Sequence, residues 1–133
     1  MKAMSVTPED FITFANDCVG RADEIGFRNA IARAYYGAYH LVNPLMKHGP
    51  KENHQGLIDY IKGDAARGSE SYEKRYLIAI SYVLQSLKDQ RIISDYDLEA
   101  NIGEVQAKAA IITANKLVTK CTEMTAGSVA ASS

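Results

Sequence analysis

Apolar residues recur along this chain at helical spacing, and no segment sustains the alternation of a strand. Phe11, Phe14, Ala15, Cys18 and Val19 stand at i, i+3, i+4, i+7 and i+8, the buried stripe of a first helix. Thr7-Pro8-Glu9-Asp10 supplies its start: a capping hydroxyl, a proline at the first helical position, then acids in the positive first turn. Ile25-Gly26 reads as its break. A second helix is expected over about 27–46 with Ile31, Tyr35, Ala38, Val42 and Leu45 inward, Pro44 bending its last turns and His48-Gly49-Pro50 ending it. A short third helix, about 53–61, carries Leu57, Ile58 and Ile61; Gly63 stops it and 64–69 reads as a polar loop. The fourth begins near Glu70, places Tyr76, Ile80, Val83, Leu84 and Leu87 inward and runs to about Arg91, with 92–101 less regular. The fifth covers about 103–123, its stripe of Ala110, Ala114, Leu117, Cys121 and Met124 small enough for close helix approach.

The pattern predicts an all-α bundle of about five helices in one domain, residues 1–124. Tyr35, Ala38, Val42, Tyr76, Ile80, Val83 and Leu84 are expected in its core, and 125–133 form a small, polar, flexible tail. With 47% hydrophobic and 23% charged residues, the 133-residue chain has an ordinary globular composition. A formal net charge of −1 excludes a role that coats nucleic acid through bulk electrostatics, so an RNA or nucleotide site would need locally clustered cations. Cys18 and Cys121 sit in apolar helical patterns and read as buried free thiols. No run is apolar enough to span a bilayer and no signal-peptide pattern opens the chain, which points to a cytoplasmic protein.

Several kinds of chemistry lack their residues. There is no glycine-rich phosphate loop, no nucleophile elbow and no zinc spacing: His48 and His54 have neither a cysteine partner nor a helical HExxH arrangement. Asp95 and Asp97 read as solvated carboxylates rather than metal ligands, so neither metal nor cofactor is expected. What remains is the second helix, where Arg33, Tyr36, Gly37 and His40 fall at i, i+3, i+4 and i+7, opposite the apolar stripe. A guanidinium grips a phosphate in bidentate fashion and an imidazole exchanges protons near neutral pH. Cleaving RNA without a metal needs such parts: a base for the 2′-hydroxyl, an acid for the leaving oxygen and a cation for the transition state. The same spacing also suits an ordinary solvated face or a dimer seam, where Tyr and Arg are favoured.

The run Arg28-x4-Arg33-Ala34-Tyr35-Tyr36-x3-His40 resembles the signature helix of the HEPN superfamily (higher eukaryotes and prokaryotes nucleotide-binding domains), bacterial branch. The later Arg91-Ile92-Ile93-Ser94-Asp95-Tyr96, followed by an alanine-rich helix, is similar to that branch's R-x-x-A-D-Y element, and together the likeness covers about residues 11–118. The resemblance implies an up-and-down helical bundle that forms a homodimer with a cleft between protomers. In many members the cleft is a metal-independent endoribonuclease site serving toxin–antitoxin or antiviral defence; others bind nucleotides or partner a nucleotidyltransferase. It further implies His40 as general acid/base and Arg33 as the phosphate cation, with Arg28, Tyr36, Arg91, Asp95 and Tyr96 lining the binding cleft and Asp95 paired to Arg28 or Arg33. Ribonuclease members carry R-x4-6-H in the later element, whereas this chain has Ser94, Asp95 and Tyr96 where that histidine would stand. Two readings follow: an RNA-cleaving domain paired with an antitoxin, or a non-catalytic module that binds a nucleotide or a nucleotidyltransferase through the same face.

Overall fold

A computed structural model of the protein describes residues 4–132, with side chains through residue 127. It is a small bundle of five helices, with no strand among the described residues: α1 (Pro8–Gly20), α2 (Glu24–Val42), α3 (His54–Tyr60), α4 (Lys74–Tyr96) and α5 (Glu104–Ser132). The start of α1 follows the sequence. Thr7 Oγ1 accepts from the Asp10 N–H while Asp10 Oδ2 accepts from the Thr7 N–H, a reciprocal capping box with Pro8 behind it. Of the expected stripe on α1, Ala15 and Cys18 are buried and Phe11 and Val19 are partly so, but Phe14 is 53% exposed and Ile12 is buried in its stead. Ile12, Ala15 and Cys18 let α1 lie close on α2, where a Cβ added to Gly37 would come within 2.8 Å of Ile12 and 3.0 Å of the Pro8 carbonyl. Gly37 is therefore covered by α1, not presented on an open face.

The break between α1 and α2 comes earlier than Ile25-Gly26. Asp23 caps α2 by accepting from the Gly26 N–H at 2.9 Å, so the polar cap decides the boundary and the glycine is absorbed into the first turn. α2 is the central helix, packed against α1, α4 and α5. It ends at Val42 in a 3₁₀ turn, Asn43–Leu45, because Pro44 has no N–H to continue the ladder.

Gly63 does not stop the third helix. With Leu57, Ile58, Ile61 and Ala65 all buried, the apolar phase continues, and the chain carries on in wide π-helical turns over Ile61–Ser69. Gly68, at φ +123°, is the true terminator, in a conformation that side chains oppose. Glu70, expected to begin α4, is instead buried before it. Its carboxylate accepts from the N–H groups of Lys47 (3.0 Å) and His48 (2.8 Å) and from the Tyr60 hydroxyl (2.5 Å), pinning the α2–α3 connection.

α4 buries Leu77, Ile80, Leu84 and Leu87, with Tyr76 and Val83 half-buried at its margin rather than in the core. It extends through the segment expected to be irregular, as far as Tyr96. α5 buries the anticipated Ala110, Ala114, Leu117, Cys121 and Met124. Its backbone is helical as far as Ser132, past residue 125, where the sequence suggests a tail. Tyr35, Ala38 and Val42 are fully buried, as the stripe on α2 requires.

Candidate functional site

Because α2 is central, nearly all of its surface is covered. Between Asn29 and His40 only Asn29, Arg33, Tyr36 and His40 escape full burial, at i, i+4, i+7 and i+11, which makes one narrow strip open to solvent. Arg33, Tyr36 and His40 are thus brought together as the spacing predicts, on a strip bordered by three other helices.

From α4, Arg91 reaches across to donate from Nη2 to the Tyr36 hydroxyl at 2.7 Å. The Tyr36 ring lies among two guanidinium groups, 5.2 Å from Arg33 and 5.3 Å from Arg91, so its π-face stabilises the charge that phosphate would otherwise neutralise. Arg91 also forms an i,i+4 ion pair with Asp95 (Nε–Oδ2 3.0 Å); the N–H is not aimed at that oxygen, so the contact is ionic rather than a hydrogen bond. Tyr96 extends this side, its ring 5.7 Å from Arg91. Arg91 and Asp95 therefore belong to the strip, but the partner of Asp95 is Arg91, one turn away, and neither Arg28 nor Arg33.

Arg28 leaves the site altogether. Its guanidinium is buried and donates to the carbonyls of Ser94 (3.0 Å), Asp97 (2.9 Å) and Ala100 (2.5 Å), with Nε on Glu24 at 2.8 Å. The last carbonyls of a helix lack intrahelical donors and carry its negative dipole end, and a cation satisfies both needs. Arg28 is the C-terminal cap of α4, which is why α4 outlasts its expected end. Its guanidinium is engaged with these backbone carbonyls rather than turned toward the strip.

α3 contributes a group that sequence reasoning set aside. His54 stands at the first position of α3, capped by Asn53, and its ring stacks on Tyr39 at 3.9 Å between centroids and 18° between planes. Its Nδ1 lies 2.5 Å from the hydroxyl of the buried Tyr35. Burial, then the charges of Arg91, Lys88 and His40, hold the His54 pKa below its ordinary value, so the ring is neutral at physiological pH. Burial likewise pushes the Tyr35 phenol up, so it keeps its proton. Asn53 before an apolar turn was the available signal for where α3 starts; nothing in the spacing showed that α3 docks beside the two tyrosines.

On the other border, α1 and the preceding segment form two adjoining clefts with Val6 and Phe11 common to both. One, about 320 Å³, is walled by Phe14, Asn29 and Arg33; the other, about 290 Å³, reaches His40 and Asn43. Phe11 packs on the His40 imidazole, centroids 5.1 Å apart. The strip accordingly offers cations and imidazoles flanked by apolar surface, a combination suited to a phosphodiester with its base alongside.

Compared with protein-family models, with curated proteins and with solved structures, the chain matches none. Among the described residues no three His, Cys, Asp or Glu side chains converge as metal ligands, and no helix is long and apolar enough to cross a membrane.

Proposed function

We propose that this chain is a HEPN-like, RNA-directed domain of a bacterial toxin–antitoxin or defence system, and that it cleaves RNA without a metal at the α2 strip. The observation that carries the reading is the union of Arg33, Tyr36 and His40 with Arg91, which places two guanidinium groups about one phenol beside an exposed imidazole. Chemically, Arg33 and Arg91 hold the scissile phosphate and offset its growing charge, while His40 exchanges protons with the ribose or leaving oxygen. A net charge of −1 is no obstacle when Arg33 and Arg91 both lie against the Tyr36 ring.

The test is cleavage of a labelled RNA oligonucleotide by the purified protein in EDTA. His40→Ala should slow it by about 10²–10⁴-fold, the range for a lost general acid or base. Arg33→Ala should slow it with an unchanged helical spectrum. Intact RNA, together with saturable nucleotide binding, would leave only the binding-module reading.

Assembly is part of the proposal. At and just after the end of α4, Ile93, Tyr96 and Leu98 are exposed, the last at 83%, and the Tyr96 ring lies 5.7 Å from Arg91 of the strip. Such a cluster supports a protein neighbour, a second copy or an antitoxin or nucleotidyltransferase partner, and a cleft shared by two protomers. Sedimentation at micromolar concentration should give a dimer; a concentration-independent monomer argues against the shared cleft.

A further inference from the structure

Metal-free cleavage of RNA needs two proton-transfer groups, and the strip on α2 supplies one imidazole. The other side of the same tyrosines supplies a second. His40 and His54 both pack against Tyr36, at 6.5 and 6.2 Å, and against Tyr39, at 5.5 and 3.9 Å. The two histidines thus flank the same two rings, although they come from different helices and stand fourteen residues apart in the sequence. Their surroundings differ. His40 is exposed and packs only on rings, whereas His54 is half-buried, stacked, and held by a hydrogen bond at one nitrogen.

We propose that His54 is the general base of this site, with His40 as the general acid and Tyr35 as the residue that positions the His54 ring. The proposal rests on the ribonuclease reading given above. With Nδ1 engaged by the Tyr35 hydroxyl, only Nε2 of His54 remains for substrate. When Nδ1 carries the hydrogen and donates it to Tyr35 Oη, Nε2 presents its lone pair. The step balances without a further reactant. His54 Nε2 takes the 2′-hydroxyl proton as O2′ bonds to phosphorus; the P–O5′ bond breaks, and protonated His40 gives its proton to O5′. The products are a 2′,3′-cyclic phosphate and a 5′-hydroxyl end, with the two histidines left in exchanged protonation states. Arg33 and Arg91 face the phosphate oxygens throughout.

The environment of His54 fits a base. Arg91 and Lys88 from α4 face it with positive charge, His40 of α2 lies across the same rings, and Tyr35, Tyr36 and Tyr39 surround it. Burial and these cations favour the neutral imidazole that can accept a proton. Lys88 is itself engaged, donating to Gln55 Oε1 at 3.1 Å, which ties α3 to α4 and holds His54 in place.

The experiment is the pH dependence of single-turnover cleavage of a labelled RNA oligonucleotide in EDTA, with end-group analysis of the products. The wild-type profile should be bell-shaped and the product should carry a cyclic phosphate. His54→Ala should lower the rate by about 10²–10⁴-fold and abolish the acidic limb, while His40→Ala abolishes the basic limb. His54→Gln can keep a hydrogen bond to Tyr35 and controls for folding; it should melt like the wild type yet remain slow. Tyr35→Phe should lower kcat more than it raises KM and displace the acidic limb, which loss of packing alone would not do. If His40→Ala is impaired while a folded His54→Gln cleaves within about threefold of wild type or keeps its acidic limb, the assignment of His54 fails and the ribonuclease reading stands. If the wild-type protein leaves the oligonucleotide intact, both fail.

Discussion

Replacing Arg28 by alanine tests whether the most prominent buried cation of α2 is structural. The change removes three donated hydrogen bonds and leaves the carbonyls of Ser94, Asp97 and Ala100 facing the slot that the guanidinium occupied. A buried acceptor stripped of its donor costs about 1–3 kcal/mol. The Ser94 contact is buried and counts near the middle of that range, the partly buried Ala100 carbonyl counts near its floor, and the Asp97 carbonyl keeps the Ala100 N–H at 3.3 Å. The sum is about 3 kcal/mol, in line with the loss expected on emptying a buried charged site. Loss of the Glu24 contact adds little, because that carboxylate is 44% exposed and returns to water. Set against a typical domain stability of about 5–15 kcal/mol, the variant should still fold but melt about 10–15 °C lower. Urea unfolding followed by far-UV circular dichroism measures the difference. Arg28→Lys should recover a minor part, since one ammonium cannot reach three carbonyls with the planar geometry of the guanidinium. The RNA binding proposed above should be unchanged per folded molecule. A loss of stability under ~1 kcal/mol, or a selective loss of RNA affinity, would refute the capping role and return Arg28 to the binding surface.

Three further outcomes follow from the packing. Burial works to raise the Glu70 pKa, but the Tyr60 hydroxyl and the His48 and Lys47 N–H groups outweigh it and hold it below its ordinary value. The resulting stability is present above the unfolded value of about 4.3 and lost as pH falls through the folded one, so Glu70→Gln should flatten the acid limb of a stability–pH curve. Asp95→Ala should cost under ~1 kcal/mol in urea melts, because its pair with Arg91 is a partly exposed i,i+4 contact; a loss above ~2 kcal/mol would mean a buried pair. Burial pushes the Cys121 thiol up to about 12 and raises Cys18 as well, so neither should react with Ellman's reagent at pH 8 until guanidinium unfolds the protein.

The helices were legible where one face was plainly apolar, and least so where burial came from all sides. α5 shows the first case: Ala110, Ala114, Leu117, Cys121 and Met124 sit at strict spacing and all five are buried. α1 shows a limit of periodicity, because Phe14 and Ile12 lie on either side of the Ala15-Cys18 line and both are apolar. The bulkier one was the natural choice, but close approach to Gly37 requires the smaller. α2 is the reverse of an amphipathic helix. Its polar residues are a narrow gap in an otherwise covered surface, and one of them, Arg28, is covered too. No residue pattern announces that role, since the acceptors are backbone carbonyls, which every residue has, 66 to 72 positions further along.

The site divides along the same line. Arg33, Tyr36 and His40 are set by the pitch of one helix, so their spacing alone brings them together. His54 joins them only through tertiary packing: Asn53 starts α3, Leu57 and Ile58 bury its far face, and Gln55 bonds Gln85 of α4 at 2.8 Å. These contacts turn the His54 ring onto Tyr39 and place its Nδ1 on Tyr35, nineteen residues before it in the sequence. The resemblance looks for a histidine beside Arg91 in sequence, and the chain has Ser94, Asp95 and Tyr96 there. In space, the Arg91 charge does face an imidazole, that of His54. A proton-transfer group need not follow its arginine by a fixed number of residues; it need only reach the same phosphate from a rigid element. An invariant spacing within one helix is one way to meet that requirement. The pairing of α2 with α3 through two tyrosine rings is another, and it is open to this chain without any change in the α4 segment.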